Sequence, residues 1–412
     1  MTLEARAASA GVPVTPEMAL LLCCARRRIP EGDRERLRQL STAIPDWRRV
    51  IRMASWHGLL PLLHKHLDGI EGVPESAQAF LRGHFLNSAE AGLRLSAQML
   101  ELLHYFEDHG VPAVPYKGPA LAAQLYGNVA LRQSVDLDLL VHREHVGIAR
   151  ALLRAQGYRP RHELTEVGQA FRMRTRYAEM FDREGRLPVE LHWAFTNGDV
   201  AFPLTLADLA PRLRRGRLGS ASIPVLSDED LLLILCVHGA KHRWDRLEWV
   251  CGVAELIRSA PQLNWAEVRA AAEESGSRRM LLLGISSAQE LLAAPVPAAV
   301  LHQARADRRI DQLADEVWRL LCESRPHLES AEEFGSIRHD LFHLRLRERR
   351  RDQLQYLFYR LTTPSRPESW RPVSAGGRTI AMHAIIRPLR VAAKLAQAGW
   401  LYFRRRRQGL RS

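Results

Sequence analysis

The stretch Ser134-Val-Asp-Leu-Asp-Leu-Leu-Val141 decides the fold class. Its alternation predicts a strand over Val135–Val141, with Asp136 and Asp138 on one face and Leu137 and Leu139 packed behind them. Two carboxylates on one strand face repel each other, and a bound divalent cation relieves that repulsion. Mg²⁺ suits the arrangement, because it takes one or two carboxylates and fills its remaining positions with water and substrate phosphates. The tripeptide Asp-x-Asp by itself is common, so its surroundings carry the weight.

Downstream, Leu187-Pro-Val-Glu-Leu-His-Trp193 alternates in the same way, placing Glu190 and His192 on one face and Val189, Leu191 and Trp193 on the other. An ionised group in such an apolar strand requires a partner. Either this strand has a wet face at a sheet edge, or Glu190 completes a metal cluster with Asp136 and Asp138. Upstream, Pro115-Tyr-Lys-Gly-Pro-Ala-Leu121 ends a short strand (Val111–Tyr116) and opens a helix (Gly118–Tyr126). The amides at that helix N-terminus suit a phosphate, and Lys117 adds a point charge beside them. Arg132, four residues before Asp136, is an anion contact or a salt-bridge partner. A helix over Glu144–Gln156 and a strand at Ile223–Leu226 complete an α/β core.

The regions around this core read as helical. An apolar run at Met18–Arg28, a helical pattern over Trp47–Leu67 with Asp46 as N-cap, and a helix over Leu93–His109 make up the segment before the core. After it, helical periodicity extends from Asp228 to about residue 362. The resulting boundaries are a helical N-terminal region (1–108), the core (109–226), a helical C-terminal domain (227–364) and a basic amphipathic tail (365–412). The fold class expected is therefore α+β, a small mixed sheet flanked by helical regions. On the helix read from Asp228 to Arg258, His238, Lys241 and His242 fall at i, i+3 and i+4 and share a face. Either they form a hydrogen-bonded polar patch, or Lys241 reaches a phosphate. The acidic residue that a zinc-peptidase helix places beside its first His is absent. Trp244 and Trp249 read as core.

Composition narrows the class. The 412 residues are 46% hydrophobic and 25% charged, which excludes a disordered or low-complexity chain. Five cysteines with no paired spacing read as buried thiols of a reducing compartment. No apolar run approaches the ~20 residues of a membrane span, so the location expected is cytoplasmic, with contact to the inner membrane face as an option. Of the net charge of +13, +10 lies in Ser365–Ser412, including Arg404–Arg407. Within it Leu389, Ala393, Ala396, Trp400 and Phe403 line one helical stripe and Arg387, Arg390 and Lys394 another. Residues 387–407 are then a helix docked on the body, a contact with an anionic membrane surface, or, less favoured, an arm for nucleic acid. Lysine is rare: of 59 cations only Lys65, Lys117, Lys241 and Lys394 are lysines.

The order strand, Gly-opened helix, Asp-x-Asp strand and hydrophobic-Glu-hydrophobic strand resembles the DNA polymerase β-like nucleotidyltransferase superfamily. More closely, Tyr116-Lys-Gly-Pro-Ala-Leu, Arg132, Asp136-Leu-Asp-Leu-Leu-Val and Val189-Glu-Leu-His-Trp resemble a bacterial family of uncharacterised nucleotidyltransferases. The resemblance extends to Trp47, Ala54 and His57-Gly58-Leu, to His238, Lys241-His242-Arg-Trp244, and to Thr363-Pro364, Trp370 and Arg387-Pro388-Leu389. Two departures stand out: Gly118-Pro119 replaces the superfamily's Gly-Ser pair, and Asp136 follows Gly118 by 18 residues, a longer interval than usual.

The resemblance implies metal-dependent transfer of a nucleoside monophosphate from an NTP, ATP first, to an acceptor hydroxyl or phosphate, with release of pyrophosphate. Asp136, Asp138 and Glu190 would be the catalytic and metal-binding carboxylates, holding two Mg²⁺ ions with Mn²⁺ as the substitute. Lys117, Gly118, Arg132, Lys241 and His242 would meet the nucleotide, and His192 and His238 the acceptor or its proton. The acceptor is unassigned. The rival readings are a non-catalytic nucleotide-sensing or scaffold protein of a membrane-linked assembly, and an RNA-modifying nucleotidyltransferase.

Overall fold

The structure is a computed structural model that describes residues 1–30, 32–198, 200, 202–323 and 337–362. The linker read at 363–377 and the basic tail lie outside the described residues.

Six helices come first: α1 (Leu3–Ala10), α2 (Pro16–Cys24), α3 (Asp33–Thr42), α4 (Trp47–Trp56), α5 (Leu60–Leu67) and α6 (Glu75–Asp108). Their ends follow local chemistry. Thr2, Thr15 and Asp46 cap α1, α2 and α4 by accepting from backbone amides of the first turn, and Gly11 closes α1 in the left-handed conformation. The helix expected over 47–67 is two helices, because Gly58 adopts φ +69 between them. A side chain there would lie 2.6 Å from Glu248 Oε2, so only glycine fits the turn.

The core follows with β1 (Ala113–Pro115), α7 (Gly118–Tyr126), β2 (Leu137–Val141), α8 (Val146–Ala155), β3 (Arg159–Pro160), α9 (Glu166–Thr175), β4 (Ala178–Asp182) and β5 (Val189–His192). Then come α10 (Leu206–Leu209) and the hairpin β6 (Arg214–Leu218) and β7 (Ala221–Val225). Five strands form one mixed sheet in the order β1-β2-β5-β4-β3, and β6 and β7 pair separately. Only β2 and β5 are parallel. Strand β2 is buried along its whole length, as its Leu-rich sequence demands. The expected strand starts two residues late: Asp136 sits in a bend before β2. The pattern of β3, β4 and β6 was too short or too polar to read as strands.

The remaining helices are α11 (Asp228–Lys241), α12 (Leu247–Ser259), α13 (Trp265–Ser275), α14 (Arg278–Leu292), α15 (Ala298–Ala306), α16 (Arg308–Glu323), α17 (Ile337–Leu346) and α18 (Arg350–Thr362). The single helix expected from Asp228 to Arg258 is broken, because Arg243 (φ 59) and Trp244 (φ 57) are left-handed. The strain of about 1–2 kcal/mol per such residue is offset by burial of the Trp244 indole, which is 0% exposed. The ring packs over Gly239 and Gly284, where an added Cβ would approach it to 2.5 and 2.8 Å.

The chain forms two compact units. The first holds Met1–Arg161, Ala178–Phe195 and Phe202–Glu348, and with them the whole five-stranded sheet. The second holds His162–Tyr177, Thr196–Ala201 and the described part of Arg349–Ser412. Within it Tyr359 of α18 donates to the Thr175 carbonyl at 3.0 Å, and Gln355 donates to that of Gly198 at 2.8 Å. Among the described residues no helix is long and apolar enough to cross a membrane.

Candidate active site

The parallel register of β2 and β5 sets Asp138 directly opposite Glu190 and Leu140 opposite His192. Side chains two residues apart on a strand share a face, so Asp138, Glu190 and His192 emerge together. Their ligand atoms lie within 4.8 Å of one another, which fits a metal site of two carboxylates and an imidazole. His192 Nε2 contacts Asp138 Oδ1 at 2.9 Å and Glu190 Oε2 at 3.1 Å. The alternative of a wet sheet edge fails for Glu190, since β5 lies between β2 and β4.

Asp136, half-buried in the bend before β2, is two residues from Asp138 and stands outside that closest trio. It remains in the same electrostatic group. Burial, reinforced by the charges of Asp138 and Glu190, pushes its carboxyl up to about 6. Burial also works upward on Asp138, but Lys117, the His192 hydrogen bond and Arg132 outweigh it and hold that carboxyl well below the usual range. Glu190 follows the same logic: burial raises it, and His192 brings it below an ordinary glutamate. His192 is depressed by burial and raised overall by its two carboxylate partners. One imidazole is thus shared between two acids, with Lys117 beside Asp138.

Helix α7 delivers the cation. Lys117 is its N-cap, and Lys117 Nζ lies 3.6 Å from Asp138 Oδ1. Gly118 opens the helix at φ +60, a conformation that glycine alone takes without strain, and its Cα faces the Asp136 carbonyl, which a Cβ would meet at 3.5 Å. The helix N-terminus therefore abuts the backbone of the segment that leads into β2. Arg132 donates to Ser134 Oγ at 3.3 Å, within the segment that leads into Asp136.

His238, Lys241 and His242 end α11, with His242 at the C-cap. His238 is held well below the usual imidazole range by burial and by the nearby charges of Lys117, His242, Lys241 and Arg132. Lys117, Arg132, Lys241 and His242, the residues expected at phosphate, all act on His238 through their charge. His238 is therefore a neutral group there, able to hydrogen-bond and not to supply charge. Helix α12 is joined to α7 by the Tyr126 hydroxyl, which donates to Cys251 Sγ at 3.2 Å.

Two residues of the site escaped the sequence reading. Tyr116 was read as the end of a strand and the start of the Tyr116-Lys-Gly-Pro-Ala-Leu motif, with no role in the site, yet its hydroxyl sits 3.1 Å from His192 Nδ1 and its ring packs edge-on to His192 at 5.1 Å. It is the group that orients the imidazole between the acids. Trp249, read as core, is half-buried and packs against both His238 (5.6 Å) and His242 (4.9 Å). Trp244 is the core tryptophan of the pair. No short motif could have revealed the first contact, because Tyr116 and His192 lie 76 residues apart.

No curated protein matches the chain. The model of a family described as uncharacterised nucleotidyltransferase matches residues 44–293, more than half of the chain. That range begins just before α4, ends at the close of α14, and takes in Lys117, Asp136, Asp138, Glu190, His192 and Lys241. The chain belongs to this family of uncharacterised nucleotidyltransferases.

Proposed function

We propose that the protein moves a nucleoside monophosphate from an NTP, ATP being the expected donor, to an acceptor hydroxyl or phosphate and releases pyrophosphate. The observation that carries the reading is the convergence of Asp138, Glu190 and His192 within 4.8 Å, with Lys117 3.6 Å from Asp138. Family membership supports nucleotidyl transfer as the reaction class.

Asp136, Asp138 and Glu190 would hold two Mg²⁺ ions, which when bound neutralise triphosphate charge and act as Lewis acids at the transferring phosphorus. Burial, reinforced by the charges of Asp138 and Glu190, raises the Asp136 carboxyl to about 6, and a bound cation would favour its ionised form. Lys117, the Gly118 amide and Arg132 would bind the triphosphate from the sheet side. Lys241 and His242 would bind it from the end of α11. Glu190 is the expected proton acceptor for an attacking hydroxyl, and His192, oriented by Tyr116, holds the two carboxylates in register. The acceptor oxygen bonds to the α-phosphorus as the bond to the β-phosphate oxygen breaks, so pyrophosphate leaves with that electron pair. His238 is assigned to acceptor contact as a neutral hydrogen-bonding group.

The test uses two labelled forms of ATP with fractionated acceptors. Label on the α-phosphate should move to an acceptor in the presence of Mg²⁺, and the transfer should disappear in Asp136→Asn and in Asp138→Asn. Movement of label from the γ-phosphate instead would overturn the reading.

A further inference from the structure

Helix α18 carries an apolar stripe on its outer side. Asp352 and Tyr356 are buried, and Gln355 and Tyr359 make the hydrogen bonds described above, so these residues mark its docked face. Leu354, Leu357 and Phe358 are 66%, 40% and 69% exposed. With Leu361 they fall at i, i+3, i+4 and i+7, which makes one continuous stripe along the helix. Scattered exposed leucines are ordinary, but an aligned group marks a contact surface. Arg350 and Arg351, both exposed, precede Leu354 by four and three residues and extend the same face with positive charge.

The partner follows from charge. A second copy would bring the same arginines and the same basic C-terminal sequence against themselves, and like charges oppose that pairing. Leucine side chains gain nothing from the phosphates of a nucleic acid. An anionic lipid surface satisfies both features, since the stripe enters the interface while the arginines remain at the headgroups. A short apolar contact binds such a surface only marginally, and a second, polybasic signal makes the binding stable. That second signal is present in the sequence: residues 365–412, which begin three residues after the end of α18, carry a net +10. We propose that the outer face of α18, with Arg350 and Arg351, docks the protein on anionic membrane and acts jointly with the basic sequence that follows. This extends membrane contact from residues 387–407 to a helix whose side chains are described, and it is independent of the reaction assigned above.

The full chain is tested by co-sedimentation with vesicles of equal parts phosphatidylglycerol and phosphatidylcholine, and with vesicles of phosphatidylcholine alone. The wild type should partition onto the anionic vesicles only. The double variant Leu354→Ser/Phe358→Ser should partition about tenfold less or weaker. Arg350→Gln/Arg351→Gln should show a smaller loss that vanishes in high salt. Leu354 and Phe358 are exposed, so circular dichroism and the thermal midpoint of their variant should be unchanged, which separates lost docking from lost folding. Equal partition of the wild type and the Leu354→Ser/Phe358→Ser variant would overturn the proposal, leaving a purely electrostatic anchor. So would a wild-type dimer in solution that this variant converts to a monomer, because the stripe would then be a protein interface.

Discussion

Protonation of His57 should destabilise the fold, and the size of the effect can be worked from its surroundings. The side chain is fully buried between α4 and α5. Leu247 N–H donates to its Nδ1 at 3.2 Å, and its Nε2–H donates to the Leu321 carbonyl at 3.1 Å. Both ring nitrogens are therefore engaged by a neutral imidazole, and a proton on Nδ1 would face the Leu247 N–H. Burial, aided by the charge of Arg246 and opposed by the Leu321 carbonyl, brings its pKa from 6.5 down to about 4. A group depressed in the folded state contributes its full stability above its unfolded pKa and loses it as pH falls toward the folded value. The drop from 6.5 to 4 corresponds to ~3 kcal/mol lost across that window. The perturbation is His57→Leu, followed by urea unfolding at about pH 7 and about pH 4.5. Near neutrality the variant should be less stable by ~1–3 kcal/mol, because the Leu247 N–H and Leu321 carbonyl lose their partner. Near pH 4.5 the gap should shrink by ~2–3 kcal/mol, since only the wild type must protonate a buried ring. A gap that stays constant with pH would refute the reasoning.

Further predictions concern the site and its supports. Tyr116→Phe removes the hydroxyl beside His192 Nδ1; steady-state kinetics should show turnover reduced ~10–100-fold with nucleotide affinity retained, as for loss of a group that orients a metal-site histidine. Gly239→Ala places a methyl 2.5 Å from the Trp244 ring; calorimetry should report a loss of ~1–3 kcal/mol, and an unchanged midpoint would show that Trp244 can shift. Arg6, almost wholly buried, binds Glu290 at 2.9 Å and Asp315 at 2.6 Å, joining α1 to α14 and α16; Arg6→Met should cost ~3–5 kcal/mol in calorimetry by removing the cation that both acids share.

The sheet was legible where side-chain alternation was strong. Leu137-Asp-Leu-Leu-Val141 and Val189-Glu-Leu-His192 are strands within the stretches read at Val135–Val141 and Leu187–Trp193, and helix α7 has the expected bounds of Gly118–Tyr126. What the sequence could not convey was register. Nothing local says that Asp138 stands opposite Glu190, so the closest trio contains His192 and leaves Asp136 to one side. Breaks in helices were hidden for a related reason. The His57-Gly58 turn is dictated by Glu248, and the Arg243–Trp244 turn by an indole slot at Gly239 and Gly284, all contacts distant along the chain. The short edge strand Arg159–Pro160 and the arginine-rich strand Arg214–Leu218 lack an apolar face to announce them. The charge of the C-terminal sequence was plain from composition, whereas the stripe on α18 became meaningful only once Tyr356 and Tyr359 showed which side is docked.

The resulting picture is of two small pieces of backbone that bring opposite charge together. Strands β2 and β5 hold the acids in register, and the start of α7 presents Lys117 to them. The most direct test of the central claim is titration of the purified protein with ATP, with and without Mg²⁺, in wild type and in Asp136→Asn/Asp138→Asn. The account predicts binding that requires Mg²⁺ and is lost in the double variant while its thermal midpoint is maintained. Binding of equal strength in the double variant, or binding indifferent to Mg²⁺, would contradict it.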